Sequence, residues 1–290
     1  MTFYLQALQL SLCLGTMCMG VFISMKIFNI PDITTDGSYT LGAAVTAVLL
    51  SQHVPLILVM LASIAAGAIG GMLTGLIHTV LRIEALLAGI LVMTGLYSIN
   101  LVILGRSNIP LIGTSSIFNL ITVFSAEISN NLVVGMIFII ALVTLLTFVL
   151  RTDFGIAMRA TGSSESMVKA LGINNNRMKI IGLAMANGLT ALSGFLVSQF
   201  QGFADINMGI GIVIVGLGSV LIANALKTWL NIKSIAAQLV LVILGSLIFQ
   251  LVLALTLASG VDPNLLKLAT AVFVLIIVAL PRVSSALKKK

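Results

Sequence analysis

The sequence predicts an all-α protein that crosses a membrane many times, and three observations carry that prediction. Charged residues make up 8% of the 290-residue chain and hydrophobic residues 59%, whereas a soluble domain carries about 25% charged residues. Apolar runs of roughly 20 residues, enough for a helix to cross about 30 Å of hydrocarbon, follow one another along almost the whole length. Lys and Arg gather in only some of the polar breaks, the asymmetry expected of membrane loops. The whole chain, 1–290, reads as one transmembrane domain.

The apolar runs fall at 5–27, 40–52, 54–80, 85–104, 131–150, 180–200, 209–226, 235–257 and 264–281. They give eight to ten helices, with nine the best count; 40–52 is too short for a full crossing and reads as short or broken. The leading Met1-Thr-Phe-Tyr-Leu-Gln6 has no Lys or Arg. Without a basic leader and a small-residue cleavage site, the first run is expected to stay as a span.

Orientation follows from the cations. The 151–179 interval holds Arg151, Arg159, Lys169, Arg177 and Lys179 against Asp153 and Glu165, and the tail holds Arg282 and Lys288 to Lys290. Lys227 and Lys233 flank one connection, whereas Val261-Asp262-Pro263-Asn264 has only an acid. Placing 151–179, 227–233 and the tail in the cytoplasm satisfies all of these. The 105–130 loop and the N-terminus then face out, and Arg82, Glu84 and Lys26 face in. The outer loop contains Pro110, Gly113 and Ile117 to Phe124, expected to form a short helix on the membrane face because long loops carry structure of their own. Docking of an extracellular partner and ordinary packing are both open for it.

The net charge of +7 is membrane-loop bias rather than a nucleic-acid footprint. Cys13 and Cys18 lie in an apolar run without other metal ligands and read as buried, inert thiols. A faint inverted repeat links Gly20 to Ser24 with Gly194 to Ser198, Asp32-Ile33 with Asp205-Ile206, and Val48 to Leu50 with Val220 to Ile222. The two loops are predicted on opposite faces, as an inverted-topology transporter repeat requires. Gly67, Gly70, Gly71 and Gly75, and Gly209, Gly211, Gly216 and Gly218, allow close helix approach in lipid; broken helices along a path are the functional alternative.

Polar residues in or near the hydrocarbon are Glu84, Tyr97, Asn100, Asn187, Gln199, Gln201, Asp205, Asn207, Asn224 and Gln238. Of these, Tyr97, Asn100, Asn187 and Gln199 are the candidate substrate-pathway residues. No acid or base is expected at mid-membrane, which disfavours an ion-coupled carrier working alone, although backbone carbonyls can also bind sodium. His53 and His78 read as unpaired interfacial anchors. No zinc-protease helix, serine triad or phosphate-binding loop is present, so an intramembrane enzyme is remote and any ATP hydrolysis belongs to another polypeptide.

One cytoplasmic stretch stands apart. Ser163 can cap a helix with Glu165 in its first turn, Lys169 near its end and Gly172 as a left-handed stop. Met167, Val168 and Leu171 make one apolar stripe on a helix of about two turns, from Ser164 to Leu171. So short a helix needs a packing partner, either its own inner surface or a groove on a cytoplasmic protein.

The run Arg151-Thr-Asp-Phe-Gly-Ile-Ala-Met-Arg-Ala-Thr-Gly162, with Ala170-Leu-Gly-Ile-Asn174 and Lys179, resembles the permease subunits of ATP-binding-cassette importers of the branched-chain amino acid and ribose type. Gly182 to Gly194 and Gln199 to Gly211 resemble a subgroup linked with tryptophan and tyrosine uptake. The resemblance is strongest over 151–225, and Asp36 to Ala44 also fits; the family pattern has an acid where this chain has Asn224. The resemblance implies a coupling helix at about 163–172, comprising Ser163, Ser164, Glu165, Ser166, Met167, Val168, Lys169, Ala170, Leu171 and Gly172, seated in a separate ATPase dimer. That dimer would hold the ATP and magnesium; this chain needs no cofactor of its own. The resemblance also implies a second permease subunit, most simply a homodimer, and an extracellular binding protein or lipoprotein. It implies residence in a bacterial inner membrane, contacting lipid. The substrate implied is an amino acid, most plausibly aromatic, with branched-chain amino acid, sugar or nucleoside as alternatives. The rival is a stand-alone ion-coupled carrier or channel.

Overall fold

A computed structural model describes residues 2–119, 127–262 and 265–287. The chain enters as α1 (Thr2–Val21), whose last turns open into a π-helical segment, Phe22–Ile27. After a non-helical stretch come α2 (Thr34–Ser51), α3 (Leu56–Thr79) and α4 (Ala85–Leu104). A three-residue strand β1 (Asn108–Pro110) and a 3-10 turn (Ile117–Asn119) precede α5 (Glu127–Arg151). The short helices α6 (Asp153–Ser163) and α7 (Glu165–Ala170) lead into α8 (Asn175–Gln201), the longest helix described. Strand β2 (Phe203–Asp205), α9 (Ile212–Trp229), α10 (Ile235–Ala258) and α11 (Leu266–Leu287) complete it.

Nine helices answer the nine predicted runs, but they are not alike. Among the described residues seven are long and apolar enough to cross a membrane, with α1 counted through its π segment. The other two are α2, and α11, whose apolar stretch covers Leu266–Ile277. Helix α2 begins six residues before the predicted 40–52 run. Its first turn is Thr34, Thr35 and Asp36, polar residues that a reading by hydropathy leaves in a loop. They are buried all the same, as are Ser38 and Thr40, because α2 is sheathed by α3, α4 and α8. The predicted outer-loop helix is a single 3-10 turn where described; the rest, 120–126, lies outside the described residues.

Backbones meet closely around α2 and α8. A Cβ on Gly42 or Gly194 would overlap the main chain of Ala191 or Tyr39, and one on Gly71 would overlap Leu183. These contacts are what small residues provide in lipid, where apolar burial gives helices no preference for one another. Hydroxyls tie the same helices together: Thr34 to Thr74 at 2.7 Å and Thr46 to Ser63 at 3.0 Å.

The repeat seen faintly in the sequence is visible in the packing. Helix α3 lies on α2 and α8, while α10 lies on α9 and α1, the arrangement obtained by exchanging α1–α3 with α8–α10. The break after α1 meets the end of α6, through Asn29 Nδ2 donating to Gly162 O at 3.0 Å. The break after α8 pairs with β1 in an antiparallel ribbon, Asp205 opposite Asn108. Those contacts lie at opposite ends of α8, so the two breaks face opposite ways.

Candidate functional site

Two helix N-termini meet inside the bundle. Asp36, in the first turn of α2, accepts hydrogen bonds from Gly211 N at 2.8 Å and Val213 N at 2.9 Å, at the start of α9. A helix start leaves amide hydrogens without partners and carries partial positive charge; one carboxylate here satisfies both for α9 and favours the dipole of α2. The close approach needs Gly209, where a Cβ would overlap Asp36 O and Thr40 Oγ1, and Gly211 takes a left-handed φ of 81°. A second acid, Asp32, accepts from Thr34 N at 2.9 Å and from Asn187 Nδ2 at 2.7 Å. Two acids are therefore buried within the bundle, neither of them among the polar residues expected in or near the hydrocarbon. Both acids were hidden because they lie in breaks and first turns, outside any apolar run.

Two cavities open at opposite ends of α1, α9 and α10. The first, about 380 Å³, lies at the β-ribbon end and is lined by Leu10, Tyr39, Gln201, Phe203, Asp205, Asn207, Met208, Ile212 and Gln250. Asp205 is its one charged residue and accepts from Asn207 N at 2.8 Å. A neighbouring groove of about 490 Å³ shares Leu10 and Gln250 with it. The second cavity, about 510 Å³, lies at the α6 end and is lined by Lys26, Asn29, Arg159, Ser163, Lys227 and Gln238 among others. Between them α1 and α9 are in contact: a Cβ on Gly216 would sit 2.8 Å from Val21 Cγ2 and 3.3 Å from Met17 Cε. A mainly apolar cavity with one acid thus lies at one end of these helices and a polar, basic one at the other, with an apolar α1–α9 contact between them.

Helix α7 hangs at the basic end. Ser164, not Ser163, is its cap, accepting from Met167 N at 3.4 Å; Ser163 is the last residue of α6. Gly172 has the left-handed φ, 81°, expected of the stop. The apolar stripe divides: Val168 is fully buried, while Met167 is 52% and Leu171 69% exposed. Glu165 pairs with Lys179 of α8 at 2.7 Å, and its carbonyl accepts from Asn175 Nδ2. One side chain and two polar ties hold α7 on its own subunit; the rest of the stripe faces away.

The four candidate pathway residues do not converge. Asn187 serves Asp32 and also donates to Leu183 O at 3.1 Å. Asn100 donates to Gly37 O at 3.1 Å. Gln199 accepts from Ile117 N at 2.8 Å and holds the 3-10 turn. Tyr97 is 45% exposed on α4. None of them lines either cavity, whereas Gln201, Asp205, Asn207 and Gln238 do. Gln250, which is absent from the polar candidates above, is an amide well inside the apolar run of α10, and that was the available signal. His78 is not unpaired: its Nδ1 lies 2.9 Å from Ile83 O.

Residues 3–280 match the family described as branched-chain amino acid transport system, permease component. The chain is 40% identical to a tyrosine transport system permease protein of Clostridioides difficile, over 96% of this chain and 91% of that one. An uncharacterized protein of Rickettsia prowazekii is 33% identical over 95% and 96%. A ribose import permease protein of Haemophilus influenzae is 24% identical over 67% and 60%. No solved structure matches the chain.

Proposed function

The chain belongs to the family of branched-chain amino acid transport system permease components, and on that premise we propose that it is the membrane subunit of an ATP-driven importer for an amino acid. In this reading α7, with its flanking residues 163–172, is the handle by which a separate ATPase dimer moves the bundle. The observation that carries it is the division of the α7 stripe, with Val168 anchored inside and Met167 and Leu171 offered outward. The basic end is then cytoplasmic, as the positive-inside bias favours, and the β-ribbon end faces an extracellular binding protein. A second copy of the permease completes the path, in a bacterial inner membrane. An aromatic substrate is favoured by the tyrosine-transport relative and by Tyr39 and Phe203 in the outer cavity. Branched-chain amino acids, sugars and nucleosides are the competing cargoes. ATPase closure works only if the ATPase dimer binds the two permease conformations with different free energies.

The test is uptake of labelled tyrosine into proteoliposomes holding the permease, its ATPase subunit and a binding protein. Met167→Asp with Leu171→Asp is expected to lower ATP-dependent uptake by about tenfold or more, since burying an unpaired charge in a protein groove costs well over the 1.4 kcal/mol of one decade. The purified permease should keep its thermal midpoint. Uptake by the chain alone, driven by an ion gradient, would sink the reading. Buried Asp32 and Asp36 are the features that favour that rival, a self-sufficient ion-coupled carrier. Both already have structural tasks, at Asn187 and at the α9 start.

A further inference from the structure

The two ends of the path differ in charge. At the β-ribbon end the cavity carries one acid, Asp205, and no base. At the α6 end it carries three bases, Lys26, Arg159 and Lys227, and no acid. These cations come from three separate elements: the π-helical end of α1, the amphipathic α6 and the last turn of α9. Among the described residues none of them pairs with a carboxylate, and Lys26 and Lys227 line the same two adjoining pockets. Loop cations selected only for membrane orientation have no reason to crowd one cavity, since like charges gain by spreading apart. The π segment Phe22–Ile27 carries Lys26 in its last turn, and such departures from α-geometry are frequent at functional sites. Asn29 and Gln238 add amides to the same lining, and an adjoining pocket between Lys26 and Lys227 adds Asn224.

Resting on the importer reading above, we infer that the basic cavity is a carboxylate subsite at the exit of the path, and that the cargo is a carboxylate-bearing solute rather than a neutral sugar or nucleoside. A zwitterionic amino acid meets Asp205 with its ammonium group on entering. It meets Lys26, Arg159 and Lys227 with its carboxylate on leaving. Arg159 is held for this by its Nε, which donates to Gly155 O at 3.4 Å. A neutral solute can offer either end only uncharged hydrogen bonds, roughly half as strong as charge-assisted ones.

The test compares tyrosine with tyramine, which has the same ring and ammonium but no carboxylate. Ser163→Cys places a thiol on the cavity wall, against a background in which Cys13 and Cys18 are buried. Millimolar tyrosine is expected to slow maleimide labelling of that thiol in the purified permease by about threefold, and tyramine to leave it unchanged. Lys26→Gln with Lys227→Gln should abolish the protection and lower tyrosine uptake by the complete transporter about tenfold, as loss of a charge-assisted hydrogen bond predicts. Lys26→Arg with Lys227→Arg should restore both, which a folding defect would not allow. Equal protection by tyramine, or normal tyrosine uptake by the glutamine variants, overturns the inference and leaves the importer standing. Import of ribose with no import of any amino acid overturns both.

Discussion

Neither α2 nor α7 is among the helices long and apolar enough to cross a membrane, and they meet opposite fates. Helix α2 has 18 residues, most of them buried; Asp36, Thr34 and Thr46 bond to other helices, and Gly37 and Gly42 pack against α4 and α8. Helix α7 has six residues and buries one side chain, Val168. Polar character alone therefore does not locate a surface. A polar helix can lie at the centre of a membrane bundle when neighbouring helices supply its partners, as Gly211, Val213 and Thr74 do for Asp36 and Thr34. Helix α7 is too short to be stable alone in water and turns two of its three stripe residues outward, which is why we propose that another protein seats it.

This contrast can be broken most easily at Asp36. Replacing it with Ala leaves two half-buried amide hydrogens at the start of α9 without partners. The expected loss is about 2–6 kcal/mol, at about 1–3 kcal/mol for each orphaned group, read as a lower unfolding midpoint of the detergent-purified protein. Asp36→Asn keeps one acceptor oxygen and should lose about half as much. If Asp36→Ala unfolds like the parent, α2 does not hold α9 in place.

A smaller effect separates glycines that touch from glycines that do not. Gly42→Ala drives a methyl group into the main chain of Ala191 and is expected to cost about 1–3 kcal/mol, as overpacking does. Gly95→Ala, with nothing within 4 Å of its Cβ position, should be neutral or stabilising by up to about 1 kcal/mol from helix propensity. Similar midpoints for the two variants would mean that the α2–α8 contact relaxes freely.

The smallest change in stability is expected at α7. Lys179→Ala removes the pairing with Glu165, whose side chain is 59% exposed, so the loss should stay within about 1 kcal/mol. A larger drop in the unfolding midpoint would make α7 part of the fold rather than an appendage, and would weaken its assignment as a handle.

Much of the architecture was legible along the chain. Each of the nine apolar runs became a helix, Gly172 stops α7 as its position implied, and the faint repeat reappears as matched packing of α1–α3 and α8–α10. The candidate site was legible only in part. Asn100, Asn187 and Gln199 were singled out because amides in hydrocarbon need a reason, and the reason turned out to be bonds to Gly37, Asp32 and Ile117. Gln201, Asp205 and Asn207 were on the same roster and do line a cavity. Nothing along the chain distinguishes the two groups, because each amide's role depends on which neighbour another helix delivers.

By itself the sequence determined that the chain is a bundle of membrane helices, where most of them lie, and which loops carry the cations. Those properties come from local composition, because each lipid-facing segment must bury its own backbone and exclude its own charges. Tertiary structure alone decided that Asp36 closes the start of α9 across 175 residues. It also decided that Lys26, Arg159 and Lys227 share one cavity, and that Val168 turns inward while Met167 and Leu171 turn out. Such facts depend on distances between segments far apart in the chain, and only packing fixes those distances.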